Sequence, residues 1–236
     1  MTAINLPRFN SAPLHSILGC ALLLGSSALA VADVKLKGVV GGRTIDDNVV
    51  IARNTTCVLN GTIIKGNIRV LSGAKLVANR AKIDGNVQAF DANRVELQES
   101  TRVDGDVQGE GTRTIVVRGG TRVGGNVQLK EAAARTGENA LVVKNAIVTG
   151  DVQAEKGAGR LQATNNVIGG NLQFVENKRG PYLIKNNRID GDLQFFKNLG
   201  TGTITGNRVE GNLQSKENSP KPTVSGNTVE GNLELE

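Results

Sequence analysis

Apolar residues return along this chain at a beat set by nine glycines: Gly66, Gly85, Gly105, Gly125, Gly150, Gly170, Gly191, Gly211 and Gly231. Two residues before each stands Ile64, Ile83, Val103, Val123, Val148, Ile168, Ile189, Val209 or Val229. Two residues after each stands Ile68, Val87, Val107, Val127, Val152, Leu172, Leu193, Leu213 or Leu233. Neither column admits a polar residue, and the positions alternating with them are mostly polar. A period of two with one apolar face predicts short strands that bury one side. The residue after each glycine is Asn or Asp. Glycine followed by Asn or Asp is expected to give a tight corner with left-handed backbone. Two strands therefore flank a corner in every repeat. A third precedes them, marked by Val143, Ala163, Ile204 and Val224, each seven before its glycine.

The glycines are spaced by 19, 20, 20, 25, 20, 21, 20 and 20 residues. A fixed period near twenty residues is the signature of a solenoid, in which each repeat buries its apolar face only by stacking on the next. The expected fold is all-β, a single-stranded parallel β-helix of about nine to ten coils. Loops of free length favour the right-handed form, because left-handed hexapeptide helices keep a six-residue beat. Residues 31–60 are read as an amino-terminal cap and first coil or coils, with strands at Val39-Val40-Gly41-Gly42 and Asn48-Val49-Val50-Ile51. Residues 61–236 hold the β-helix repeats. The absence of tryptophan and the single tyrosine, Tyr182, fit a core of small stacked side chains.

Further columns support stacking. Asn166, Asn187, Asn207 and Asn227 stand four before the glycine, and Asn177, Asn198 and Asn218 recur at another bend. Gln88, Gln108, Gln128, Gln153, Gln173, Gln194 and Gln214 form a glutamine column. Amides in register bond from coil to coil, as in stacked-strand fibrils. Phe174 and Phe195 are expected to stack.

Residues 1–30 read as an export signal. Arg8 gives the positive start, Ile17–Gly25 the apolar run, and Ala28-Leu29-Ala30 a small-x-small cleavage site. The run is too short to span a bilayer, and no transmembrane segment is expected after its removal. The protein is therefore expected to be exported, secreted or periplasmic. Signal removal takes away His15, the only histidine, and Cys20. Cys57 is then the only cysteine; a buried inert thiol is favoured over an intermolecular partner.

Without histidine, Ser-His-Asp and Cys-His catalysis and histidine-based zinc sites are excluded. Asp104-Gly105-Asp106 and Asp190-Gly191-Asp192 are read as turns rather than calcium loops. No catalytic, cofactor or metal residue is assigned. What remains is charge, +6 overall and +5 once residues 1–32 are removed, since 27 basic residues then face 22 acidic ones. Lys82, Arg102, Arg122, Arg188 and Arg208 stand three before the glycine; Asp84, Asp104, Asp190, Glu210 and Glu230 stand one before it. A corner of variable length adds Arg113, Lys130, Arg135, Lys156, Arg160, Lys178, Arg179, Lys197, Lys216 and Lys221, interrupted by Glu131, Glu155 and Glu217. Variable loops on one edge of a solenoid are where binding usually evolves. Arg160, Lys178, Arg179, Arg102, Arg122, Arg188 and Arg208 are the candidate ligand-binding residues. An anionic polysaccharide or envelope component is the expected partner. Sequence-reading nucleic-acid binding is not expected, because aromatic residues for base stacking are missing. Solvated loops and a solubilising charge ladder are the plainer readings of both surfaces.

The expected role is an exported, non-enzymatic binding or scaffold protein of the cell envelope or extracellular space. The alternative is a structural protein that self-associates end to end, with Glu234 and Glu236 guarding the edge. A polysaccharide lyase or hydrolase is a further alternative.

Thr56-Cys57-Val58-Leu59-Asn60-Gly61-Thr62, the Gly-Asn-Val/Leu-Gln coils and the closing run Asn212–Thr223 resemble a family of exported bacterial parallel β-helix proteins of uncharacterised function. The resemblance covers about residues 38–236 and implies the fold but no activity. Ser215 and Glu234-Leu235-Glu236 stand where relatives often carry cysteines, so a clamping disulfide is not implied here. A looser similarity to bactofilins, polymer-forming β-helices, lies in the repeated Gly-Asn/Asp corner.

Overall fold

The computed structural model describes residues 33–236, so the expected export signal lies outside the described residues. Among them there are only strands and turns. The strands form three parallel sheets, one of eleven strands and two of ten. The chain visits the sheets in rotation, and each strand pairs with the strand one coil earlier and one coil later. The architecture is a parallel β-solenoid of about ten coils. One coil serves for all: Leu172–Val175 in sheet 1, Tyr182–Lys185 in sheet 2, Arg188–Ile189 in sheet 3, then Leu193–Phe196 back in sheet 1. With eleven strands in sheet 1, the stack is about 48 Å long at about 4.8 Å per coil.

The two apolar columns read from the sequence point inward. Val103 pairs with Val123, Val107 with Val127, and Leu172 with Leu193, and these side chains are buried. Only at the carboxyl end does burial lapse, where Val229 is partly buried and Leu233 exposed. Large and small residues alternate where space demands it. Tyr182 and Phe195 meet edge to face, with centroids 5.6 Å apart. Gly202 follows Tyr182 in its column, and a Cβ there would stand 3.0 Å from Phe195. The Tyr182 hydroxyl donates to the Leu199 carbonyl at 2.9 Å. Burial pushes this phenol up to about 12, although a backbone hydrogen bond opposes the rise.

Residues 34–60 belong to the same three sheets. Val34–Leu36 pairs with Val49–Ile51, Gly38–Val40 with Thr56–Asn60, and Thr44–Ile45 with Ile63–Ile64. The strand expected to run through Gly42 stops at Val40, and Gly41 and Gly42 lead into the next bend. Cys57 points into the core and is fully buried. Burial pushes its thiol up to about 11, against the lowering field of Arg43.

The corner between sheets 3 and 1 corrects one expectation. Its glycines do not adopt left-handed backbone; positive φ falls at the other two corners, on residues such as Asn186 (φ 54°) and Lys197 (φ 53°). Glycine is required there by close approach. A Cβ at Gly191 would lie 2.5 Å from Asn171 Oδ1 and 2.8 Å from the Gly170 carbonyl oxygen of the coil below. The Asn or Asp after each glycine is a rung. Asp192 N donates to Asn171 Oδ1 at 2.8 Å, and Asn212 N donates to Asp192 Oδ1 at 2.7 Å. From Asn86 to Asn212 this ladder alternates Asn with Asp106, Asp151 and Asp192. An amide therefore separates successive carboxylates, and like charges never face each other on adjacent coils.

Candidate functional site

The candidate cations stand on two separate parts of the coil. Sheet 3 carries Arg102, Arg122, Arg188 and Arg208. The corner between sheets 1 and 2 carries Arg160, Lys178 and Arg179. In the rotation of the chain, sheet 3 is the side that does not adjoin this corner, so the structure does not bring the two groups together.

On sheet 3 the strands are two residues long, and the outward cation and the acid two residues later reach each other. Lys82 Nζ lies 2.7 Å from Asp84, Arg102 Nε 2.5 Å from Asp104, and Arg188 Nε 3.1 Å from Asp190. Others reach one coil upward. Arg188 Nη2 is 2.8 Å from Glu210, and Arg208 Nη2 is 2.8 Å from Glu230. The charges of Asp190 and Glu210, with their hydrogen bonds, hold the Arg188 guanidinium above its ordinary value. The columns thus form a charge zipper, as the plainer reading of this face expected. Exposed pairs of this kind contribute about 0–1 kcal/mol each. Arg122 alone of the four candidates has no ion pair among the described residues. The acid position after it is Gly124, and its upper neighbour is Ile147.

At the other corner one column of residues in left-handed backbone reads Glu131, Lys156, Glu176, Lys197 and Glu217, alternating in sign. Lys156 pairs with Glu155 at 2.9 Å, Lys197 with Glu217 at 3.9 Å, and Lys216 with Glu234 at 2.7 Å. The five-residue insertion is tied down as well. Arg113 Nε donates to Glu138 Oε2 at 2.8 Å, and Arg113 also binds the other carboxylate oxygen. The hydrogen bond from Arg113, followed by one from the Arg135 backbone, lowers the Glu138 carboxyl to about 2.

Arg160, Lys178 and Arg179 differ. All three are exposed, and none has an ion pair among the described residues. They lie on adjacent coils. Ala158 bridges Lys178, and Gly159 N donates to the Lys178 carbonyl at 3.1 Å. Arg160 therefore stands directly below the turn that carries Lys178 and Arg179. Beside them a shallow open hollow is lined by Glu131, Lys156, Glu176, Lys178, Lys197 and Leu199.

Asp104 and Asp106 do not converge. Asp104 joins the zipper and Asp106 the ladder. Among the described residues no group of three or more His, Cys, Asp or Glu side chains could hold a metal ion.

Sequence reasoning missed two features. The first is Glu96 on the outer face of sheet 2, in a column whose nearest positions read Val58 and Val77 below and Val116 and Val142 above. Arg94 binds it at 2.8 Å and Arg118 at 2.7 Å. Burial raises this carboxyl, but the bond from Arg94 and the charges of Arg94, Arg118 and Lys75 bring it below its ordinary value. An acid in a valine column was the available signal. The second is the Asn/Asp alternation, which was visible in the sequence but gained meaning only from the hydrogen bonds.

The fold and this cationic edge define a parallel β-solenoid with ladder-stabilised corners. No family model, curated protein or solved structure matches the chain. Among the described residues, no helix is long and apolar enough to cross a membrane.

Proposed function

We propose that this chain is an exported, non-catalytic β-solenoid of the cell envelope or extracellular space that binds anionic polysaccharide along one edge. The observation that carries the reading is the contrast at the corner between sheets 1 and 2. Lys156, Lys197, Lys216 and Arg113 are each neutralised by an acid; Lys130, Arg135 and Lys221 have no ion pair among the described residues, and neither do Arg160, Lys178 and Arg179, which stand together on neighbouring coils. Uncompensated cations on a rigid edge attract a polyanion and lose it as salt screens the field. Export rests on the charged, apolar and small-residue layout of residues 1–30, and the resemblance to exported bacterial β-helix proteins points the same way.

The test is retention on immobilised acidic polysaccharides, such as polygalacturonate and alginate, at low and at physiological salt. The protein should be retained at low salt and released as salt rises. The triple variant R160S/K178S/R179S should bind about tenfold more weakly, as expected when three exposed charge contacts of about 0.5 kcal/mol each are removed. Removing the same charge from sheet 3, as R102S/R188S/R208S, should leave binding unchanged. Equal loss in both variants would show non-specific attraction to net charge and overturn the assignment.

A further inference from the structure

We propose a second binding face, on sheet 1, for an extended neutral polysaccharide. The inference does not depend on the corner cations.

The outward face of sheet 1 is built of amides. Gln108 Nε2 donates to Gln128 Oε1 at 3.2 Å, Gln128 to Gln153 at 2.8 Å, Gln153 to Gln173 at 2.6 Å, and Gln173 to Gln194 at 2.6 Å. The run reaches Gln88 below and Gln214 above. Six coil steps make this strip about 29 Å long. An amide offers two N–H donors and two acceptor lone pairs. The ladder uses one of each per residue, so every amide keeps an acceptor lone pair for a ligand and all but Gln108 and Gln153 keep an N–H as well. Because each amide is held by its neighbours, that capacity is fixed in direction before anything binds, which lowers the entropic cost of binding.

The surroundings decide the class of ligand. Gln108 and Gln153 place their second N–H on Asp106 Oδ2 and Asp151 Oδ2, at 3.3 and 3.2 Å. A row of half-buried carboxylates thus borders the strip, with no cation in the glutamine column between Gln88 and Gln214. Carboxylates repel a polyanion and accept hydrogen bonds from hydroxyl groups. Amides that both donate and accept also match hydroxyl groups. The other border reads Phe90, Glu110, Lys130, Glu155, Val175, Phe196 and Lys216; its charges alternate in sign, and its two rings, five coils apart and partly exposed, suit the C–H faces of sugars. The coil spacing is close to the length of one sugar in an extended β-linked chain, so successive sugars meet successive coils. A neutral polyhydroxyl polymer satisfies all of these features, and an acidic one does not.

The experiment is retention of the protein on microcrystalline cellulose and on insoluble chitin, at low and high salt. Retention on at least one polymer is expected, little changed by salt. Gln108, Gln153 and Gln194 would be replaced together by Met, which keeps side-chain length and removes the amides. Retention should fall at least tenfold while circular dichroism stays that of the parent. The single variant Q128M, whose neighbours stay in place, gives the same reading if the triple variant does not fold. R160S/K178S/R179S should be retained like the parent, which separates this face from the corner. Lack of retention of the parent on both polymers, or undiminished retention of the folded methionine variants, overturns the proposal.

Discussion

Asn187 offers the sharpest test of the ladder argument. It is buried at the corner between sheets 2 and 3, and its amide serves both adjacent coils. Its Oδ1 accepts from Asn166 N at 3.1 Å and from Asn166 Nδ2 at 2.9 Å. Its Nδ2 donates to the Ala163 carbonyl at 2.8 Å and to Asn207 Oδ1 at 2.9 Å. Asn187→Ala removes all four bonds. Asn166 Nδ2 keeps the Val143 carbonyl, and Asn207 Oδ1 keeps the Asn187 backbone N–H. The groups that lose this partner are therefore the Asn166 N–H and the Ala163 carbonyl. The Ala163 carbonyl keeps its sheet bond to the next coil, so one buried group, the Asn166 N–H, is left unsatisfied, at a cost of about 1–3 kcal/mol. Asn227, at the partly buried end of the same ladder, makes the same kind of contacts within reach of water. Asn227→Ala should cost less than about 1 kcal/mol. Asn187→Thr should fall between them, because Thr101 fills the same corner lower in the stack. There it donates to the Ala78 carbonyl at 2.9 Å and accepts from Ala81 N at 3.3 Å. The assay is guanidinium unfolding followed by circular dichroism, with the denaturant slope compared across variants to confirm a shared transition. A cost below about 1 kcal/mol at Asn187, or equal costs at Asn187 and Asn227, would refute the ladder as a source of stability.

Two further outcomes follow from the other corners. Gly191→Ala should destabilise by about 1–3 kcal/mol in the same assay, because its Cβ would overpack against Asn171 Oδ1 at 2.5 Å. Gly61→Ala meets nothing within 4 Å but takes on a φ of +62°, so it should cost about 1 kcal/mol through backbone strain alone. The Glu138 carboxyl lies near 2 in the folded protein, below its ordinary value. Its contribution to stability is therefore present above the usual carboxylate range and is lost as pH falls from there toward 2. Arg113→Ala should return the Glu138 titration, followed by NMR, toward the ordinary value; a titration that stays near 2 would show that Arg113 is not the cause.

The fold was legible because a solenoid repeats its constraints. Val103, Val123 and Val148 face the same interior, so one rule about inward positions holds for the whole stack, and three strands per coil follow. The backbone of the glycine corner was misread for a physical reason. Gly-Asn and Gly-Asp suit left-handed turns and also close approach between stacked backbones, and sequence does not separate the two. Only the coil below Gly191 shows that space, not dihedral freedom, is what the glycine supplies.

The candidate site was legible as columns but not as pairs. Reading upward, Arg188 and Arg208 look as available as Arg160 and Lys178. Whether a cation is spent depends on an acid standing within reach on its own coil or the next one up. Arg188 has Asp190 and Glu210; Arg122 has Gly124 and Thr149 instead. The same accounting applies at the variable corner, where a residue or two of loop length decides which side chains fall in register. Lys197 and Glu217 occupy the same position on successive coils and pair, while the turn at Lys178-Arg179-Gly180 offers no carboxylate to either cation. Residual charge on such a stack therefore marks places where the acid column is interrupted. Among the seven candidate cations the interruptions fall at Arg122 and at the Arg160–Arg179 edge, and only the second gathers three of them on neighbouring coils, enough to engage more than one anionic group of a polymer at once.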